Sequence, residues 1–159
     1  MKRIALVLLT ATALLVAGCG SSSDQNDYVK QVNAVDAKAT AVLSNAGNAP
    51  KTTAGTAKHF DTVADNLKPV IAEYKAFDPP SNAKSAHAET IAGMTGVVAL
   101  FHSFAADFRS AKTPDEFNAI AARLADITSA KPFRQLDDAR AKLAKAGYKV
   151  QDDTTTTAK

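Results

Sequence analysis

The sequence predicts an all-α fold, in the form of a four-helix up-down-up-down antiparallel bundle with proline kinks. Alanine makes up about one residue in five, whereas aromatic residues make up only 6% and tryptophan is absent. This balance suits close-packed helices better than β-sheets. Four stretches of the chain also carry apolar residues at alternating spacings of four and three, which places them on one face of a helix. Because short loops join the four stretches, we expect them to bury these faces against each other.

The N-terminus has the features of a lipoprotein signal. The second and third residues are basic, and residues 4–16 form an apolar stretch that is shorter than the roughly 20 residues of a membrane-spanning helix. The run Val16-Ala17-Gly18-Cys19 ends in the only cysteine of the chain. This run closely resembles the bacterial lipobox, which implies that residues 1–18 are a cleaved signal peptide and that Cys19 carries a covalent diacylglycerol, with N-acylation as a further modification. An ordinary secretory signal with an incidental cysteine is the alternative.

The remainder of the chain has the length and charge of one small domain. Removal of residues 1–18 from the 159 leaves 141, which suits a single hydrophobic core. The formal charge of +3 falls to about +1 without the two basic residues of the signal, and this near-neutral balance disfavours nucleic-acid binding. With no second cysteine, the domain has no disulfide. Residues 19–26 are predicted to form a flexible tether, and residues 27–150 the helical domain.

The first two helices are predicted from their apolar seams and from their ends. The first runs from about residue 24 to 46, and the glycine and proline of residues 47–50 end it. The second starts at Thr52 or Thr53, either of which can cap it. Its apolar face continues beyond Pro69, which predicts either one kinked helix or two shorter helices in line.

The third helix, from about residue 81 to 111, has the most regular apolar pattern and is predicted to be central. Gly93 and Gly96 lie in its middle, where each costs about 1 kcal/mol relative to alanine. Two explanations are open: a neighbouring helix approaches closely, or the glycines leave a notch for a ligand beside Met94. The residues of the predicted apolar seam are His87, Ile91, Met94, Val98, Phe101, Ala105 and Phe108, with Val97 and Phe104 beside it.

The fourth helix has the clearest start. The run Thr113-Pro114-Asp115-Glu116 combines an N-cap threonine, a proline at the first helical position and a glutamate at the third. Its apolar face is interrupted at Pro132 and then resumes, which predicts a kinked helix of about 33 residues. Gly147 suits a left-handed C-cap from which Tyr148 folds back on the last turn. Residues 151–159 are polar and are predicted to be disordered.

The sequence offers little for catalysis or metal binding. His59, His87 and His102 are spaced 28 and 15 residues apart and match no zinc, di-iron or haem motif. Neither a nucleophile elbow nor a glycine-rich phosphate loop occurs. We therefore predict no catalytic residue, no metal site and no cofactor other than the lipid on Cys19.

Three segments of the domain carry a broader resemblance: Asp27-Tyr28-Val29, Phe77-Asp78-Pro79-Pro80 and residues 136–150. They are similar to segments of small alanine-rich helical lipoproteins of unknown function in actinobacterial envelopes. This resemblance implies a helical envelope protein but supplies no substrate and no catalytic residue.

The sequence thus predicts a non-catalytic binding or scaffolding lipoprotein. It would lie on the extracytoplasmic face of the cell membrane, or on the outer membrane in an organism that has two. Expected partners are the lipid bilayer, through the acyl chains, and an envelope protein, polymer or apolar ligand, but no nucleic acid. The alternative is a carrier or sensor that holds a small apolar ligand inside the bundle. The residues that would line such a pocket are Gly93, Met94, Gly96, Phe101 and Phe104.

Overall fold

The computed structural model describes residues 22–44, 50 and 52–150, and its regular structure in these ranges is entirely helical. The helices are α1 (Ser22–Ser44), α2 (Thr53–Lys75), α3 (Lys84–Ser110), α4 (Pro114–Ala125) and α5 (Lys131–Lys145), with a 3-10 turn at Ile127–Ser129 between the last two. No strand occurs in the described part of the chain, so the all-α prediction is confirmed. The signal peptide, Cys19 and the C-terminal tail from residue 151 lie outside the described residues.

The first two helices begin and end close to the predicted positions. α1 begins at Ser22, so residues 22–26 of the predicted tether are helical, and Asp24 in the first turn suits the positive end of the helix dipole. At α2 the Thr52 side chain caps the helix by accepting a hydrogen bond from the Gly55 amide at 3.2 Å. α2 continues through the exposed Pro69 as one helix, so the alternative of two shorter helices does not occur.

α3 is the central helix, as predicted. It packs against α2 on one side and α5 on the other and also contacts α4, whereas α1 packs against α2. Phe60 of α2 lies among three phenylalanines of α3 and is fully buried. The ring centroids lie 5.6 Å from Phe101, 6.2 Å from Phe104 and 5.8 Å from Phe108. This aromatic contact joins α2 and α3 into the central pair of the core.

The fourth predicted helix differs from the structure. Instead of one kinked helix it forms α4 and α5, separated by the 3-10 turn. The predicted N-terminus of α4 is confirmed as a complete capping box: Thr113 Oγ1 accepts from the Glu116 amide at 3.2 Å, and Glu116 Oε2 accepts from the Thr113 amide at 3.1 Å. Pro132 lies in the first turn of α5, where its missing N–H is not needed, so the chain starts a new helix there rather than kinking an old one.

The C-terminus of α5 ends as the sequence predicts. Gly147 has φ of +91°, the left-handed conformation that glycine adopts most easily. The Tyr148 amide donates to the Leu143 carbonyl and the Gly147 amide donates to the Ala144 carbonyl, both at 3.0 Å. This is the hydrogen-bond pattern of a Schellman motif, and it directs Tyr148 back into the core, where it is 3% exposed.

The two mid-helix glycines of α3 lie where α5 approaches most closely. A Cβ atom at Gly93 would lie 2.7 Å from Leu136 Cδ2 and 3.2 Å from the Pro132 carbonyl oxygen. A Cβ atom at Gly96 would lie 3.0 Å from the Pro132 ring. Of the two explanations that the sequence leaves open, close helix approach is therefore the one that the structure supports.

Replacement of Gly93 by alanine should destabilise the domain. The higher helix propensity of alanine alone would add about 1 kcal/mol of stability, but overpacking against Leu136 and the backbone of Pro132 should cost more, for a net loss of about 1–3 kcal/mol. Urea denaturation of Gly93→Ala and wild type measures this. Ala99→Gly on the exposed face of α3 isolates the propensity term as a control. A Gly93→Ala domain as stable as wild type would contradict the close approach.

Candidate ligand-binding cavity

A cavity of about 440 Å³ lies between α1, α3 and α5. It exists because α1 packs on α2 and α5 packs on α3, so that the second half of α1 and the facing side of α5 do not close on each other. Its lining residues are Asp36, Ala39, Thr40, Leu43 and Ser44 of α1, Leu67 and Tyr74 of α2, Thr90, Met94 and Val97 of α3, Phe133, Leu136, Asp137, Arg140 and Leu143 of α5, and Val150.

Most of the cavity wall is apolar. The buried apolar residues of the lining include Met94 and Val97 of α3 and Leu67 of α2. Leu43 and Leu136 lie on the opposing helices and are only half-buried, although both pack against the core. Apolar side chains that remain half-exposed beside a core are typical of a binding cleft rather than of a closed helix seam.

One end of the cavity is polar. Arg140 Nη2 of α5 lies 4.0 Å from Asp36 Oδ2 of α1, with side chains 31% and 21% exposed. The Tyr74 side chain is buried close to these groups, and burial, followed by the negative charge of Asp36, raises the pKa of the Tyr74 hydroxyl. The cavity therefore combines a mainly apolar wall with an ion pair and two hydroxyl groups at one end, and Thr40, Ser44 and Asp137 add further polar side chains to the lining.

An aromatic cluster packs behind this polar end. The His87 ring stacks on Tyr74 with centroids 5.0 Å apart, and its Nδ1 lies 3.1 Å from the Tyr28 hydroxyl. Tyr148 meets Tyr28 edge-on at 5.6 Å, and its hydroxyl donates to Asn82 Oδ1 at 2.5 Å. Burial lowers the pKa of the His87 imidazole, and a hydrogen bond to the Tyr74 backbone carbonyl opposes this only in part.

The structure separates the five residues that the sequence suggested for a ligand pocket. Met94 lies in the cavity wall. Gly93 and Gly96 instead face α5, while Phe101 and Phe104 pack on the α2 side around Phe60. Of the two apolar α1 residues at the cavity, Ala39 belongs to the predicted apolar seam of that helix and Leu43 does not. Periodicity alone does not reveal that α1 and α5 border a common cavity.

The other polar clusters are ion pairs between helices. His102 Nδ1 of α3 lies 2.9 Å from Asp61 Oδ1 of α2, and Arg109 pairs with the same carboxylate. The hydrogen bond from His102, with the contribution of Arg109, holds the pKa of the Asp61 carboxyl below its usual range. His59 is half-buried and packs edge-on against Phe60. Within the described ranges no three His, Cys, Asp or Glu side chains are grouped as a metal site would need.

Among the described residues, α3 is the one helix long and apolar enough to cross a membrane, with a mean hydropathy of 1.4 over its best window. This window is 44% buried inside the domain, and the core helix of a soluble protein meets the same criterion.

Comparison with known proteins identified no relative: the chain matches no family model, no curated protein and no solved structure.

The depressed pKa of His87 predicts that the domain loses stability in mild acid. In the unfolded chain the imidazole binds a proton below about pH 6.5, whereas in the folded chain it stays neutral to a lower pH. The free energy of unfolding should therefore fall as the pH drops below about 6.5, with a slope of up to about 1.4 kcal/mol per pH unit, until the folded-state pKa is reached. His87→Gln keeps an acceptor for Tyr28 but has no imidazole, so its free energy of unfolding should fall less steeply with decreasing pH than that of wild type.

Urea denaturation of wild type and variant between pH 7.5 and 5 measures the difference. His59→Gln, at a half-buried position near the start of α2, serves as the matched control for the loss of a histidine. Equal slopes for wild type and His87→Gln would rule out His87 as the source.

Proposed function

We propose that this chain is a membrane-anchored extracytoplasmic lipoprotein that binds a small apolar ligand in the cavity between α1, α3 and α5, as a carrier or sensor without catalysis. The observation that supports ligand binding is the cavity itself. Its volume of about 440 Å³ lies within the range of small-molecule sites, roughly 300–1,000 Å³, and its wall is mainly apolar. In a protein that only serves as a scaffold we expect a closed contact between the helices, since it packs at higher density than an open cavity.

The proposed architecture is an up-down-up-down four-helix bundle whose fourth member is divided into α4 and α5. Two observations support it: α1 contacts α2, α2 contacts α3 and α3 contacts both α4 and α5, and the links from α2 to α3 and from α3 to α4 are short. Short links favour antiparallel neighbours. In this arrangement the cavity is an incompletely closed bundle core, opened where α1 and α5 diverge.

The proposed anchor is the diacylglycerol on Cys19, three residues before the start of α1. It rests on the lipobox of the N-terminal sequence. Because Tyr28 near the start of α1 contacts Tyr148, the anchored N-terminal segment would join the domain at the end that carries the aromatic cluster.

Anchoring is tested by metabolic labelling with radioactive palmitate. We expect the wild-type chain to be labelled and to sediment with membranes, and Cys19→Ser to be unlabelled, because serine lacks the thiol that accepts the diacylglycerol. The proposed anchor is refuted if the wild-type chain is not labelled, or if Cys19→Ser is labelled as strongly as wild type.

Ligand binding is tested by filling the cavity. Ala39 is half-buried in the α1 wall, so Ala39→Phe should occupy the space and reduce binding of the apolar dye N-phenyl-1-naphthylamine at least tenfold. The same change should leave the melting temperature equal or higher, because it fills a void. Ala72→Phe on the exposed face of α2 is the matched control and should bind the dye like wild type. Undiminished dye fluorescence with Ala39→Phe would show that the dye binds elsewhere.

A further inference from the structure

A groove of about 600 Å³ follows α5 beside Glu89 of α3. Its lining includes four basic side chains, Lys131, Arg134, Lys142 and Lys145, and the described lining residues do not overlap with those of the cavity between α1, α3 and α5. We propose that this basic groove binds a polyol-phosphate chain, an extended polymer in which phosphodiester groups are separated by uncharged, hydroxyl-bearing units. This site and its partner lie beyond the proposed function, which concerns the cavity and the lipid anchor.

The four basic side chains lie on one face of α5 and are exposed. Arg134, Lys142 and Lys145 follow Lys131 by 3, 11 and 14 residues, which places them on the same side of a helix with 3.6 residues per turn. Lys142 pairs with Glu89 of α3. Within the ranges that the structure describes, Lys131, Arg134 and Lys145 form no ion pair. Three of the four cations are therefore available to an anionic partner.

Helix stability explains only half of these basic residues. Lys142 and Lys145 lie in the last turn of α5, where cations are favourable because of the helix dipole. Lys131 and Arg134 lie among the first four residues, where the dipole makes cations unfavourable, and the first turn of α5 contains no acidic residue. α4, by contrast, has two acidic residues in its first turn. The basic start of α5 therefore opposes helix formation, which points to a role in binding rather than in folding.

The spacing of the cations favours a chain over a small anion. They form two pairs, Lys131 with Arg134 and Lys142 with Lys145, and Arg134 and Lys142 are about 12 Å apart along the helix axis. A single small anion reaches only one pair, whereas an extended chain contacts both. A phosphodiester carries its charge within the polymer backbone, and its two free oxygens can accept from both members of a pair. A bilayer surface is flat, so its headgroups fit a groove less well than a chain does.

The acidic side chains of the groove favour phosphates that are spaced apart. Asp138 lies between the two basic pairs on α5, and Glu89 lies beside Lys142, so the lining has a formal charge of +2. A polymer with continuous negative charge would bring like charge against the Asp138 carboxylate. A hydroxyl-bearing unit at the same place donates a hydrogen bond to it, and Gln135 offers both a donor and an acceptor. A polyol phosphate therefore matches the pairs and the segment between them.

Fluorescence polarisation tests this site with the full chain in a non-ionic detergent. The probe is a fluorescein-labelled hexamer of ribitol phosphate. We expect the double variant Lys131→Gln/Arg134→Gln to bind the probe about tenfold more weakly than wild type and with a smaller dependence on salt, because two phosphate contacts are lost. Lys58→Gln/Lys75→Gln removes the same charge from exposed positions on α2 outside the groove, so this matched control should bind like wild type.

Two further measurements separate binding from folding and test the charge spacing. The melting temperature of Lys131→Gln/Arg134→Gln should equal or exceed that of wild type, because the substitutions remove cations from the start of α5. Asp138→Asn should strengthen the binding of inorganic polyphosphate about fivefold, because it removes the like charge between the two pairs. The same variant should change the affinity for the ribitol phosphate hexamer less than about twofold, since asparagine still accepts a hydrogen bond from a hydroxyl.

Three results would overturn the polyol-phosphate site. One is equal affinity of wild type and Lys131→Gln/Arg134→Gln for the hexamer. Another is tighter binding of polyphosphate or poly-L-glutamate than of the hexamer by the wild-type chain. The third is stronger binding of wild type than of the double variant to phosphatidylglycerol vesicles without binding of the hexamer, which would assign the groove to a membrane surface. Each leaves the proposed function standing, because dye binding by Ala39→Phe and labelling of Cys19 test it separately.

Discussion

The close contact of α3 with α5 is the constraint on which the rest of the structure depends. Gly93 and Gly96 leave room for Leu136 and Pro132 to approach the α3 backbone directly. Because α5 lies close to α3 at this point, Leu136 contacts Gly93 and also lines the cavity that separates α5 from the second half of α1. The two glycines are not among the residues that line the cavity, but they determine the position of α5, which forms one of its walls.

The aromatic cluster behind the polar end of the cavity holds the ends of three elements together. Tyr28, His87 and Tyr148 come from the beginnings of α1 and α3 and from the segment after α5, and their contacts hold these three elements together at one end. The Schellman motif at Gly147 makes this possible, because it turns Tyr148 back toward the core. α1 is thus held near its start, while its second half borders the cavity.

An open apolar cavity has an energetic consequence. Its lining lacks the dispersion contacts of a closed core, so a ligand that fills it adds contacts which the free domain does not have and stabilises the folded state through binding. Under the proposed anchor, an apolar ligand dissolved in the membrane would also come from the surface to which the protein is attached. Confinement to one surface raises the effective concentration of both partners, so the affinity that the cavity must supply is modest.

The sequence by itself determined the class of the fold and the local ends of its helices. The apolar spacing, the Thr113 capping box and the Gly147 C-cap all depend on residues within a few positions of each other, and such local interactions are encoded directly in the chain. The division of the fourth helix before Pro132 could not be derived in this way, since a proline within an apolar pattern is compatible with a kink or with a new first turn. Only the tertiary structure decided which helix faces meet: it placed Met94 in a cavity and Gly93 against α5, and brought Asp36 to Arg140. Helix periodicity states which residues are buried, but the partner of each buried face depends on packing between elements distant in sequence.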